Sequence, residues 1–173
     1  MMRWCCCFTF IFLMLAACDD KNAGPAKPAR DSTVYFPYVP VNSNSYEKGR
    51  DLNAKIVLQV WKQFETGNVS NEAAHFADSL RIILPHKIYQ GTKDSVLNMY
   101  RKEREKYQTM QCFVHSWMPV RMQEEGDEMV YLWGLYDGTL KNGDRDYKLV
   151  HEIWRFDNNG RIREMEQFKT HPH

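Results

Sequence analysis

From Leu52 onward the apolar positions fall at helical spacing. Leu52, Ile56, Val60 and Phe64 recur every fourth residue, Val57 and Trp61 widen the stripe, and Lys55, Lys62 and Glu65 occupy other faces. This predicts a first helix, with Gly67 where a C-cap glycine would sit. Ser70 is placed to cap a second, short helix. Glu72 lies in its first turn, and Ala73, Phe76, Ala77 and Leu80 face one way. Leu80 to Leu84 is apolar and branched enough for a strand, ended by Pro85. After Gly91, Thr92 can cap a third helix running to about Tyr107, with Val96, Leu97, Tyr100 and Tyr107 as candidates for its apolar side and Arg101 to Lys106 as a solvated charge run.

The period then changes to two. From Met110 to Met122 residues alternate, with Phe113, His115 and Trp117 on one side and Cys112, Val114 and Met118 on the other. Glu124-Glu125-Gly126-Asp127 reads as a turn and Met129 to Asp137 as a second long strand. Lys141-Asn142-Gly143-Asp144 is a hairpin signal, because Asn-Gly readily takes positive φ. Tyr147 to Phe156 is a third strand, Asp157-Asn158-Asn159-Gly160 another hairpin turn, and Arg161 to Phe168 a fourth strand. The order is helix, helix, strand, helix, then an antiparallel meander. This is an α+β pattern, in which three helices cover the apolar face of a curling sheet.

The N-terminus has a different character. Arg3 precedes an apolar run from Phe8 to Leu15, broken only by Thr9. That run is too short for a bilayer, which takes roughly 20 residues, and has the length of a signal-peptide core. It closes on Leu15-Ala16-Ala17-Cys18, which resembles the bacterial lipobox. The resemblance implies cleavage before Cys18 and acylation of that residue, hence palmitate and a partner in the lipid bilayer. A bacterial cell-envelope location follows, in the outer membrane with the domain facing the periplasm or the surface. Asp19-Asp20 reads either as a sorting signal or as plain linker. Residues 1–17 are thus the expected signal peptide and 18–45 the lipidated cysteine and tether, rich in Pro, Asn, Ser and Lys. Residues 46–173 are the folded domain. The more apolar stretch from Val34 to Val39 is a candidate to pack on it.

Charge and cysteine content narrow the function. Removal of residues up to Ala17 takes out Arg3 and leaves acidic and basic residues equal at 22 each. A balanced chain lacks the cationic excess that neutralises phosphates, so no nucleic-acid partner is expected. Cys5, Cys6 and Cys7 leave with the signal and Cys18 carries lipid. Cys112 alone remains, so neither an internal disulfide nor a cysteine-held metal is expected.

The helix stripe from Leu52 to Phe64, the Gly91-Thr92 start of the third helix and the run Trp154-Arg155-Phe156-Asp157-Asn158-Asn159-Gly160-Arg161-Ile162 together resemble the nuclear transport factor 2-like superfamily. This group includes SnoaL-like polyketide cyclases and ketosteroid isomerases. The final run looks like the family's aromatic-Arg-Phe, turn, Gly-Lys-Ile ending, with Arg161 in place of Lys. The resemblance covers about Tyr46 to Phe168. It implies a cystatin-like cone of three N-terminal helices packed on a curved antiparallel sheet, an apolar pocket at the open end, and frequent homodimers through the outer sheet face.

Candidate site residues follow from polarity within apolar strands. Trp61, Phe64, Tyr100, Trp117, Trp133, Tyr136 and Trp154 are candidates for a ligand pocket, and the same residues equally suit a core. Tyr89 and Phe113 belong to the same aromatic set. His115 lies between Phe113 and Trp117, and His151 between Leu149 and Ile153. Either is placed to act as a general base or to sit partnered in a core or dimer face. Asp137 and Glu152 are the carboxylates most embedded in strands. Glu152 shares a face with Val150 and Trp154, and is a candidate base or the partner of Arg155 or Lys148. No counterpart of the isomerases' tyrosine and acid oxyanion donors is recognisable. His171-Pro172-His173 suits a stray metal or a frayed end, and no cofactor is expected. The expectation is a lipoprotein whose cone binds a small apolar or aromatic ligand or a partner protein without catalysis. The alternative is an isomerase, cyclase or dehydratase using His151, Glu152 or His115.

Overall fold

The structure is a computed structural model that describes residues 45–170 together with Tyr35, Pro37, Tyr38 and Val41. The signal segment, Cys18, nearly all of the tether and His171–His173 lie outside the described residues. The chain divides into Met1–Val39 and Pro40–His173, and every element lies in the second unit. In order these are β1 (Tyr46–Lys48), α1 (Asp51–Thr66), a 3-10 turn (Val69–His75), β2 (Phe76–Leu84), β3 (Lys87–Thr92), α2 (Lys93–Arg104), β4 (Tyr107–Met122), β5 (Glu128–Leu140), β6 (Arg145–Phe156) and β7 (Ile162–Thr170).

The seven strands form one sheet in the order β1-β4-β5-β6-β7-β2-β3, antiparallel except where β2 runs parallel to β7. The expected four-strand meander is its centre. Its turns rest on Gly126, Gly143 and Gly160, with φ of 73°, 94° and 74°. In the last turn Asp157 Oδ1 accepts from the amides of Asn159 and Arg161, which places Phe156 and Ile162 in the core.

α1 ends as its stripe predicts. Gly67 takes φ +86° and its amide donates to the carbonyls of Gln63 and Phe64. Ala54, Ile56, Val57, Val60 and Trp61 are buried against the sheet, whereas Leu52 is 61% exposed. Thr92 caps α2, its hydroxyl accepting from Ser95 N at 3.3 Å.

Three expectations are corrected. The second helix is only a 3-10 turn, and Phe76 opens a strand, because Phe76, Ala77, Leu80 and Ile82 are buried along a strand that pairs with β7 on one side and β3 on the other. Two α-helices and this turn therefore stand where three helices were expected. α2 stops at Arg104, and Tyr107 begins β4. Arg104 does not belong to a solvated run. Its guanidinium donates to the carbonyls of Phe64, Glu65 and Tyr107, satisfying orphan acceptors at the end of α1 and tying the helices together.

A bulge in β4 decides which strand faces line the interior. Val114 pairs with Gly134 and Ser116 with Trp133, so His115 is the extra residue and the alternation flips beyond it. Met110, Cys112 and Val114 share the inner face with Tyr136 and Gly134 of β5. After the bulge Trp117, opposite Leu132, turns to that face. The expected grouping of Phe113, His115 and Trp117 on one side is therefore broken by the inserted residue.

Candidate functional site

The inner face of β5, β6 and β7 carries Tyr136, Glu152, Trp154, Met165 and Gln167. With Val60, Trp61 and Phe64 of α1 and Met99 and Tyr100 of α2, these enclose a cavity of about 210 Å³. Aromatic rings form about a third of its lining. Trp61 and Tyr136 lie 4.7 Å apart between ring centres, Phe64 and Tyr136 5.8 Å, and Phe64 and Tyr100 6.2 Å. The rim holds His86 and Lys87 from the β2–β3 turn, Glu103, Lys148 and Lys169.

Glu152 lies at the base, 1% exposed. Its Oε2 accepts from Trp61 Nε1 at 2.7 Å and Trp154 Nε1 at 2.9 Å, and its Oε1 from Gln167 Nε2 at 2.7 Å and Tyr136 Oη at 3.1 Å. Four donors fill the roughly four lone-pair positions of an ionised carboxylate. All four are neutral. Burial pushes the carboxyl above its ordinary range, and the hydrogen bonds from Gln167, Trp61, Tyr136 and Trp154 pull the other way. Indole N–H groups only donate, so the two tryptophans require an acceptor at Oε2. Arg155 pairs instead with Glu164 at 3.0 Å, and Lys148 with Asp146, on which the Tyr107 hydroxyl also rests.

Tyr100 supplies the other polar group of the cavity. Its hydroxyl is buried and has no hydrogen-bond partner. Burial first, then the nearby Glu152 charge, push the phenols of Tyr100 and Tyr136 well above their ordinary range, so both stay neutral. Cys112, half-buried beside this wall, is pushed up to about 12 by burial and the charges of Glu65 and Glu152. Its thiol is therefore inert at neutral pH.

Of the residues singled out from sequence, the structure brings Trp61, Phe64, Tyr89, Tyr100, Tyr136, Glu152 and Trp154 together at this cavity. The others lie elsewhere. His151 pairs across the sheet with Trp133 and Phe168 on the outer face, where its ring stacks on Trp133 at 4.7 Å and 6°. Tyr131 and Phe168 extend the stack, and Phe113, Trp133, Leu149 and Phe168 leave that face substantially exposed. His115 is exposed at the bulge. Trp117 is half exposed in a groove beside α1, next to Ala54 and Leu58. None of His115, His151, Phe113, Trp117 and Trp133 lines the cavity. Strand parity alone assigned the histidines an apolar face, but the sheet has two, and theirs is the outer one. Asp137 is also on the outer side, gripped by Arg145 at 2.8 and 2.9 Å, which holds its carboxyl below the ordinary range.

Sequence reasoning missed Gln167, Met99, Met165 and Gly134. Gln167 could have been found by parity, two residues from Met165 on an apolar strand face. Gly134 stands alone in the strand Tyr-Leu-Trp-Gly-Leu-Tyr, a signal of close approach. A Cβ there would lie 2.5 Å from the Trp61 ring and 2.7 Å from the Phe113 carbonyl oxygen. The glycine thus leaves room for the Trp61 ring against β5, from where its N–H reaches Glu152.

No family model matches the chain, and no curated protein is similar to it. Solved structures are. An NTF2-like protein from Exiguobacterium sp. 255-15 has a TM-score of 0.56 at 11% identity, covering 68% of this chain and 99% of that one. AusH from Aspergillus nidulans gives 0.57 at 17%, covering 73% and 89%. A protein from Jannaschia sp. CCS1 named for the SnoaL-like polyketide cyclases gives 0.56 at 13%, covering 69% and 85%. At these identities the likeness establishes the fold, which is the NTF2-like, SnoaL-like cone that the sequence resembles.

Proposed function

We propose that this chain is a lipid-anchored envelope protein whose cone holds a small ring-bearing apolar ligand without transforming it. The observation that carries this reading is the division of labour between two polar groups. The Tyr100 hydroxyl is buried, unpartnered and at the cavity wall, ready to take one polar handle of a ligand. The Glu152 carboxylate has every acceptor position filled. A general base needs a lone pair within hydrogen-bond reach of the proton it removes. Cyclase chemistry, suggested by the name of the Jannaschia protein, would require Glu152 to release one of its donors first. An apolar cavity of about 150 Å³ holds benzene, so about 210 Å³ suits one or two fused rings.

The test uses a Cys18→Ser chain, which the lipobox reading predicts will be recovered in the soluble fraction, whereas the unaltered chain stays with membranes. Retention of Cys18→Ser in membranes would remove the anchor from the proposal. With that chain, 2-naphthol should change the emission of Trp61 and Trp154 saturably and be recovered unchanged. Tyr100→Phe should weaken binding about fivefold, the worth of one neutral hydrogen bond at ~1 kcal/mol. No saturable change, or an equal affinity in the variant, would count against the pocket or against the role of Tyr100 respectively.

A further inference from the structure

We infer that the cavity selects a cation: its occupant is an organic ammonium, best a quaternary one, whose charge faces Glu152 and whose apolar body lies among the aromatic rings. The inference rests on the reading of this cavity as a ligand site and names the ligand's class.

Three observations carry it. Glu152 is a buried carboxyl without a counter-charge among the described residues. Its four partners are neutral donors, and among the described residues no Lys, Arg or His forms an ion pair with it. Burial without a counter-charge disfavours the ionised carboxylate, and a cation placed beside it favours that form, so a ligand cation supplies what the protein does not. Next, the rings of Trp61, Phe64, Tyr100, Tyr136 and Trp154 line the cavity around this carboxyl, and the electron-rich faces of Trp and Tyr attract ammonium groups, most strongly when water is excluded. Lastly, the in-plane positions of the carboxylate are already taken, so little remains for an N–H donor to bond. A quaternary ammonium has no N–H and gains from the charge alone, while the unpartnered Tyr100 oxygen can turn its lone pairs toward it. At the rim Lys148 is neutralised by Asp146, Lys87 lies over the Tyr89 ring at 4.4 Å, and Glu103 is paired with Lys106 at 2.6 Å.

The experiment compares ligands of one shape and different charge. Cys18→Ser chain is titrated with benzyltrimethylammonium, with its neutral isostere neopentylbenzene, and with the anion phenylacetate, followed by tryptophan emission. The expected result is a Kd at least tenfold lower for the cation than for neopentylbenzene, although the cation is far better hydrated, and no binding of phenylacetate. In Glu152→Gln the cation's advantage should vanish while neopentylbenzene binds as before, and that retained binding shows the variant is folded. Equal or tighter binding of neopentylbenzene or phenylacetate overturns the cation and leaves the pocket reading standing. Failure of all three while 2-naphthol binds does the same, whereas failure of all four overturns both.

Discussion

Glu152→Ala should destabilise the domain by about 3 to 4 kcal/mol, among the larger costs a single substitution carries. The substitution strips the acceptor from four donors at once. Tyr136 and Gln167 border the cavity and can turn to water there. The indoles of Trp61 and Trp154 cannot: both residues are 2% exposed, and their N–H groups would be left unpaired. Each buried unsatisfied donor costs roughly 1 to 3 kcal/mol, and the space vacated by the side chain adds to that. Relief of the buried charge works in the other direction, which is why the sum stays below the full cost of all four donors. Glu152→Gln keeps the volume and one acceptor oxygen, so it should cost about 1 to 2 kcal/mol. Urea unfolding followed by near-ultraviolet dichroism measures both. A loss below about 1 kcal/mol for the alanine variant would mean that water already reaches the indoles, and the closed cluster would have to be given up.

Gly134→Ala should cost about 2 to 3 kcal/mol, in the range of overpacking a tight core. The added methyl would meet the Trp61 ring at 2.5 Å and the Phe113 carbonyl oxygen at 2.7 Å. A ring can move, but a carbonyl paired within β4 and β5 moves only with its strand. Displacement of Trp61 also pulls its N–H from Glu152, so the variant should lose ligand affinity together with stability. The coupling is tested in a double-mutant cycle with Trp61→Phe. Removal of the larger ring should recover part of the Gly134→Ala cost, so the two effects should sum to more than the double variant shows. Strict additivity would place the strain at the Phe113 carbonyl alone.

Much of this architecture was legible in the chain. The stripe of α1, the Gly67 stop, the Thr92 cap and the glycine-bearing hairpin turns are local signals, each decided by a few neighbouring residues, and each reappears in place. Trp61, Phe64, Tyr100, Tyr136 and Trp154 line the cavity, whereas Trp117 and Trp133, equal candidates in the sequence, do not. The stretch from Phe76 to Leu80 was misread as helix because its spacing fits a helical face as well as a strand. Its parallel pairing with β7 is a contact between segments about 85 residues apart, which no local pattern records.

The amino-acid order by itself determined the α+β class, the meander and its turns, because backbone preference and burial period act over three or four residues. Which of the two apolar sheet faces becomes the interior was a tertiary decision. The single extra residue at His115 flips β4, and closure of the sheet over α1 sends His151 and Trp133 outward and Glu152 inward. The state of Glu152 is tertiary for the same reason. Its donors come from α1, β5, β6 and β7, and only their convergence lets a carboxyl group lie buried with neutral partners alone among the described residues.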